Sequence, residues 1–153
     1  MTRHTFLVAM KRVATLGSIG YMPGSGTVAT LVTLPAVVFL KYFGLSYRTE
    51  LFIVLGATLF LTLAVHFALY LFPFTNDPRQ IVADEVVGCL WTFCGTALTF
   101  KKLIWGFLFF RIFDIVKPFG IRSCEKAPGA WGILLDDIVA GAYASLCLLI
   151  FFS

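Results

Sequence analysis

Five acidic side chains lie within or at the edges of apolar stretches of this sequence. They are Asp84, Glu85, Asp114, Asp136 and Asp137, out of eight acidic residues in the chain. A charge in an apolar segment is costly unless it is paired, bound to a metal or close to water. Acids in such positions therefore indicate a functional site inside an otherwise apolar protein.

The chemistry that suits such a cluster is metal-assisted phosphate chemistry. Mg²⁺ is a hard cation that binds one or two protein carboxylates and leaves positions open for water and phosphate oxygens. Arg111, Lys117 and Arg122 lie close to Asp114 in the sequence and could hold the phosphate. Positive charge placed on the transferring group is the main means of accelerating the hydrolysis of phosphate monoesters.

A glycine-rich turn, Pro-Gly-Ser-Gly-Thr at 23–27, opens the first long apolar stretch. Backbone N–H groups at the start of a helix can bind phosphate oxygens. Gly26 and Thr27 are therefore candidate phosphate-binding residues. On spacing alone, an ordinary helix start with Ser25 or Thr27 as the N-cap is the commoner interpretation.

The elements that must position these residues are apolar segments, and the sequence contains five: Thr27–Leu40, Leu51–Phe72, Ile81–Phe100, Leu103–Val116 and Gly132–Phe152. A helix needs about 20 apolar residues to cross the hydrocarbon core of a bilayer. The second and fifth segments are long enough to span. The first and fourth must be extended by flanking residues or be partly embedded, so we expect about four to five membrane-embedded helices.

Composition supports a membrane protein. Hydrophobic residues make up 59% of the chain, charged residues 13%, and the mean hydropathy is +0.93. The expected fold is an all-α, polytopic helical bundle that forms a single domain over residues 1–153. The twelve basic residues are scattered rather than arranged in a stripe with aromatics, which argues against nucleic acid binding. Nothing in the pattern indicates an oligomer.

The acids alternate with the direction of the chain. Asp84 and Glu85 open the third segment, Asp114 closes the fourth, and Asp136 and Asp137 open the fifth. An up-and-down bundle therefore brings all of them to one face. Small residues follow three of the acids at i+4, on the same side of the helix, which predicts closely packed helices: Gly88, Ala140 and Gly141.

Basic residues predict the orientation of this face. If all five segments cross, seven basic residues lie on the carboxylate side and four on the other: Arg3, Lys11, Arg12, Arg79, Lys117, Arg122 and Lys126 against Lys41, Arg48, Lys101 and Lys102. The positive-inside rule then makes the carboxylate side cytoplasmic.

Other interpretations of the acids remain open. Arg111 and Asp114 could form a self-neutralising intrahelical ion pair, and the paired acids could simply complement helix dipoles. An ion- or proton-coupled transporter also uses intramembrane carboxylates, but its acids would be distributed in depth. A noncatalytic membrane subunit and a transferase that joins an alcohol to a lipid phosphate are further alternatives.

Three ordered motifs give the chain a resemblance to a known family. They are Asp-Glu-Val-Val-Gly at 84–88, Phe-Arg-Ile-Phe-Asp-Ile-Val-Lys-Pro at 110–118, and Gly-Ile-Leu-Leu-Asp-Asp-Ile-Val-Ala-Gly at 132–141. These resemble the conserved blocks of bacterial phosphatidylglycerophosphatase A. The turn at 23–30 departs from the family pattern, as does Gly120, which stands where the family has proline.

The resemblance implies a Mg²⁺-dependent lipid phosphatase of the bacterial inner membrane that converts phosphatidylglycerol phosphate to phosphatidylglycerol, with a phospholipid as its substrate partner. On this interpretation Asp84, Glu85, Asp136 and Asp137 bind the metal. Asp114 is a further ligand or the base that orients water, and Arg111 and Lys117 grip the phosphate. The predicted catalytic carboxylates are Asp84, Asp114, Asp136 and Asp137. Whether an aspartate or a metal-activated water attacks phosphorus stays open.

Overall fold

The computed structural model describes residues 2–75, 78–118, 120–124 and 126–152. All the regular secondary structure in these ranges is helical, and they contain no strand, as the sequence predicted. In chain order the helices are α1 (Arg3–Ala14), α2 (Ser25–Tyr42), α3 (Tyr47–Leu69), α4 (Ala83–Phe93), α5 (Phe100–Val116), α6 (Ile121–Cys124) and α7 (Ala130–Phe152), with one turn of 3₁₀ helix at Ile19–Tyr21.

Three of the helices are long and apolar enough to cross a membrane. They are α3 and α7, with 23 residues each, and α2, with 18. The second and fifth apolar segments are thus confirmed as capable of spanning. Flanking residues at both ends extend the first segment to spanning length.

The third predicted segment, Ile81–Phe100, is only partly helical. Helix α4 has 11 residues, ends at Phe93 and is about 16 Å long, against a hydrocarbon core of about 30 Å. The chain leaves the helix at Cys94, and Gly95 follows with a φ of +72°. The Gly95 N–H donates to Glu50 Oε2 at 2.9 Å, and Lys41 Nζ lies 2.5 Å from the same oxygen. Hydropathy missed this break because residues 94–99 are mostly small or apolar.

Helix α1 was not predicted, and it packs beside α3. The rings of Phe6 and Phe67 meet edge to face with centroids 5.0 Å apart. At the other end of α1, the Ala14 carbonyl accepts a hydrogen bond from the Val82 N–H at 3.0 Å. Helix α1 therefore fixes the stretch of chain that leads into α4.

Helices α4 and α7 pack closely against each other. A Cβ atom on Gly141 would overlap the Gly88 carbonyl oxygen, and a Cβ on Gly88 would lie 2.7 Å from the Asp137 carbonyl oxygen. This confirms the close approach predicted from small residues at i+4. Beside this contact, the buried side chains of Phe93, Phe110 and Leu148 join α4, α5 and α7. The two helices that carry paired acids are thus held in one fixed register.

Candidate active site

A cavity of about 770 Å³ opens at one end of the bundle. Its walls are the first turns of α2, α4 and α7, the last turn of α5, and the loops that precede α4 and α7. The cavity lining includes nine of the ten candidate residues of the sequence analysis, all except Arg122: Gly26, Thr27, Asp84, Glu85, Arg111, Asp114, Lys117, Asp136 and Asp137. Four separate helices therefore bring these side chains to one place.

Three of the carboxylates that line the cavity lie close together. Asp84, Glu85 and Asp137 each offer an oxygen, and the three oxygens lie within 4.8 Å of one another. Asp84 Oδ1, Glu85 Oε2 and Asp137 Oδ2 are buried and accept no hydrogen bond from the residues that the structure describes. Buried carboxylate oxygens need a proton, a donor or a cation. We call these three residues the carboxylate cluster.

Asp136 lies outside the carboxylate cluster, although the sequence analysis grouped it with the metal ligands. Its side chain is 7% exposed, and its Oδ2 accepts a hydrogen bond from Lys117 Nζ at 2.5 Å. Lys117 follows the last residue of α5 and has a left-handed backbone conformation, with φ +49° and ψ +54°. This backbone conformation ends α5 at the point where the lysine side chain meets α7.

Arg111 and Asp114 form an ion pair within α5. Arg111 Nη1 lies 2.6 Å from Asp114 Oδ2, and both side chains are 14% exposed. The intrahelical ion pair considered from the sequence is thus present, and both of its members line the cavity. The Asp114 carboxylate also neighbours that of Asp137. The pair therefore adjoins the carboxylate cluster directly.

The glycine-rich turn reaches the same cavity. Gly24 is the N-cap of α2, with a φ of +66°, so the alternative of Ser25 or Thr27 as the N-cap is wrong. Gly26 lies against Glu85, because a Cβ there would overlap Glu85 Oε1 and would lie 3.4 Å from Arg111 Nη1. The start of α2 therefore faces the acids directly.

Three helix N-termini converge on the cavity, those of α2, α4 and α7. The N-terminal end of a helix carries a partial positive charge and N–H groups without intrahelical partners. Together with the basic side chains, these ends provide positive potential around the carboxylates. The site can therefore bind a cation at its centre and an anion beside it.

Comparison with known proteins assigns the chain to a family. The family model for phosphatidylglycerophosphatase A matches residues 12–152. The chain belongs to this family. All the cavity-lining residues fall inside the matched range.

Individual members of the phosphatidylglycerophosphatase A family match over shorter stretches. The proteins of that name from Haemophilus influenzae and Escherichia coli are each 39% identical, over 71 and 74 residues, which cover 45% and 46% of this chain and 44% and 42% of theirs. A Bacteroides thetaiotaomicron protein, provisionally named a phosphatidylinositol-3-phosphatase, is 38% identical over 77 residues, 48% of each chain. The chain thus spans about half the length of the curated relatives it matches. No solved structure matches it.

Sequence reasoning missed two basic residues of the cavity, Arg79 and Lys126. Both lie in loops, where no helical periodicity indicates which way a side chain points. Arg122, which the sequence suggested as a phosphate ligand, is exposed on α6 and is not among the described lining residues. The sequence feature that could have indicated Arg79 and Lys126 is their closeness to the acids, since Arg79 precedes Asp84 by five residues and Lys126 precedes Asp136 by ten.

Proposed function

We propose that this protein is a Mg²⁺-dependent phosphatase that hydrolyses the terminal phosphate monoester of phosphatidylglycerol phosphate and yields phosphatidylglycerol. The observation that carries the proposal is the carboxylate cluster, with its unsatisfied oxygens, beside Arg111 and Lys117 in one cavity. Membership of the phosphatidylglycerophosphatase A family supports the choice of lipid.

The residues of the carboxylate cluster fit a divalent cation. Three oxygens from Asp84, Glu85 and Asp137 converge, one from each residue, and hard oxygen ligands suit Mg²⁺. We assign the metal to these three residues, with Asp136 beside them. A Mg²⁺ ion bound there would supply positive charge to the oxygens of the transferring phosphoryl group.

The protein's own cations bind the phosphate in this proposal. Arg111 and Lys117 are held by Asp114 and Asp136 respectively, so their positions are fixed before the substrate arrives. Fixed donors stabilise the charge of a transition state without reorganising during the reaction. The N-terminal turn of α2, at Gly26 and Thr27, adds backbone N–H groups on the same side.

Hydrolysis itself needs water and a base. Water attacks phosphorus, the bond from phosphorus to the glycerol oxygen breaks, and that oxygen leaves with the electron pair and gains a proton. Asp114 is our candidate for accepting the proton of the attacking water, because it borders the carboxylate cluster and is oriented by Arg111. The products are inorganic phosphate and phosphatidylglycerol.

The arrangement of the acids favours an enzyme over an ion-coupled transporter. A transporter would need acids along a route through the bundle, whereas these five acids line one cavity at one end. We place this end at the cytoplasmic face of the bacterial inner membrane, on the seven-to-four excess of basic residues there. A lipid made by cytoplasmic enzymes would be presented to this face.

Phosphate release from defined lipids tests the proposal. Purified protein in detergent should release inorganic phosphate from phosphatidylglycerol phosphate with Mg²⁺ and not with EDTA, and Asp84→Asn and Asp137→Asn should abolish release while the protein stays folded. Glu50→Gln is the matched control, because it makes the same change outside the cavity and should keep its activity per folded molecule. Phosphatidylinositol 3-phosphate serves as the competing substrate. Phosphate release that continues in EDTA would refute the metal assignment. A preference for phosphatidylinositol 3-phosphate would refute the substrate assignment.

A further inference from the structure

The cavity contains two kinds of basic residue. Arg111 and Lys117 are mostly buried, and each forms an ion pair with a carboxylate. Arg79 and Lys126 are exposed at the rim of the cavity, and neither forms an ion pair with a residue in the described part of the chain. The rim pair is thus free to bind an anion that the inner pair does not hold.

The rim residues come from the two loops that lead into the acid-bearing helices. Arg79 lies in a turn that is closed by the hydrogen bond from the Ile81 N–H to the Pro78 carbonyl, at 2.9 Å. Val82, which follows this turn, donates a hydrogen bond to the carbonyl of Ala14 in α1. Lys126 lies before α7, within a turn that is closed by the hydrogen bond from the Ala127 N–H to the Cys124 carbonyl at 3.0 Å. Both residues therefore lie in local turns, are exposed and line the cavity outside the carboxylate cluster.

We propose that Arg79 and Lys126 bind a second phosphate, the phosphodiester that joins the headgroup to diacylglycerol, and so select lipids that carry two phosphates. This inference rests on the proposed function. The inner pair takes the monoester to be cleaved and the rim pair takes the diester. A cavity of about 770 Å³ has room for both groups, and charge-assisted contacts from arginine and lysine suit each.

Arg79 and Lys126 could also bind the phosphate of a neighbouring anionic lipid, so the test distinguishes this lipid from the phosphodiester of the substrate. The variants are Arg79→Gln, Lys126→Gln and the double variant, with Arg122→Gln as the matched control for loss of an exposed positive charge. Each is assayed in neutral detergent on phosphatidylglycerol phosphate and on phosphatidic acid, which has a monoester on the same diacylglycerol but no diester. Further arms measure the binding of short-chain phosphatidylglycerol, which keeps only the diester, and the effect of added phosphatidylserine.

We expect the double variant to lose about tenfold in kcat/KM on phosphatidylglycerol phosphate, mainly through KM. Its activity on phosphatidic acid should change less than about twofold, and its binding of phosphatidylglycerol should weaken about tenfold. Arg122→Gln should resemble the unmodified protein throughout. Equal losses on both substrates, or no loss on either, would overturn the selection of two phosphates. Stimulation by phosphatidylserine that only the double variant loses would assign the rim pair to a neighbouring lipid instead.

Failure of the proposed function gives a different result. If the unmodified protein releases no phosphate from any of these lipids, the phosphatase assignment fails. Phosphatidylglycerol binding that still depends on Arg79 and Lys126 would then support the proposed phosphodiester site. Binding that is independent of both residues would contradict it.

Discussion

At the residue scale, Lys117 combines backbone strain with a charged contact. A non-glycine residue in the left-handed region costs about 1–2 kcal/mol, and Lys117 occupies that region while its Nζ bonds to buried Asp136. No other residue type supplies both a long cationic side chain and the donor that Asp136 needs, apart from arginine. The contact between Lys117 and Asp136 therefore offsets the backbone strain at Lys117.

Substituting Lys117 by glycine and by alanine should separate these two effects. Both variants lose the donor to Asp136, so activity should fall at least about 100-fold in each. Glycine adopts the left-handed conformation readily, so Lys117→Gly should be about 1 kcal/mol more stable than Lys117→Ala. Thermal unfolding in detergent and phosphate release measure the two quantities. Equal stability of the two variants would mean that position 117 carries no backbone strain.

Gly26 provides a residue-scale test of the metal assignment. In Gly26→Ala the new methyl group would displace the Glu85 carboxylate, which is the flexible end of its side chain, so the protein should still fold. The Mg²⁺ concentration for half-maximal activity should rise by about 10-fold or more, because displaced groups around a metal weaken its binding. Gly56→Ala is the matched control, since a Cβ on Gly56 has no neighbour within 4 Å. An unchanged Mg²⁺ requirement would show that Glu85 is not a ligand of the metal.

The sequence predicted the residues of the cavity better than their pairing. Alternation of the acids with chain direction and the i+4 relation are properties of helices, so they indicated a shared face without any structure. Which acid pairs with which base depends on side-chain reach across helices. Asp136 therefore could not be distinguished from Asp137, and Arg79 and Lys126, which lie in loops, could not be assigned to the cavity.

At the scale of the elements, the contact between α4 and α7 determines the geometry of the site. Gly88→Ala would place a methyl group against the Phe110 ring and 2.7 Å from the Asp137 carbonyl oxygen. Neither neighbour can yield cheaply, because both are fully buried in the helix packing. We expect a loss of about 1–3 kcal/mol in stability and a fall in activity, measured by thermal unfolding and phosphate release. A variant as stable as the unmodified protein would contradict the close packing of these helices.

The other end of α4 depends on Glu50. Its carboxylate bonds to both Lys41 and the Gly95 N–H, and it is 9% exposed. Glu50→Gln should lower stability by about 1–3 kcal/mol, because it leaves the Lys41 charge without its partner. Adding Lys41→Gln should recover part of this loss, as a double-mutant cycle in thermal unfolding would reveal. Strict additivity of the two changes would indicate that the ion pair contributes no coupling.

Hydropathy gave the positions of α2, α3, α5 and α7, but not the length of α4. Apolar content continues smoothly across residues 81–100, whereas the break at Cys94 and Gly95 depends on contacts with α3. Tyr47 packs where a Cβ on Gly95 would lie, 2.6 Å from its ring, and Glu50 takes the Gly95 N–H. Such contacts join residues more than forty positions apart and leave no local signal.

At the scale of the whole molecule, orientation in the membrane stays a prediction. Single cysteines introduced by Arg122→Cys and Lys101→Cys, in a chain whose four native cysteines are replaced by alanine, report on the two ends of the bundle. A reagent that cannot cross membranes should label position 101 in intact spheroplasts and position 122 only in inverted vesicles, because basic residues are retained on the cytoplasmic side. The reverse pattern would place the cavity on the outer face.

The convergence of three helix N-termini and four basic side chains on one cavity also bears on the release of products. In the proposed reaction, hydrolysis would divide the negative charge of the substrate unequally, since phosphatidylglycerol keeps one charge and inorganic phosphate carries the rest. With a divalent cation at the carboxylate cluster, as proposed, the basic side chains and helix N-termini of the cavity should retain the more highly charged product longer. The lipid should therefore leave first, and inorganic phosphate should compete with the next substrate molecule. Turnover would then follow the phosphate concentration on the cavity side of the membrane as well as the supply of lipid.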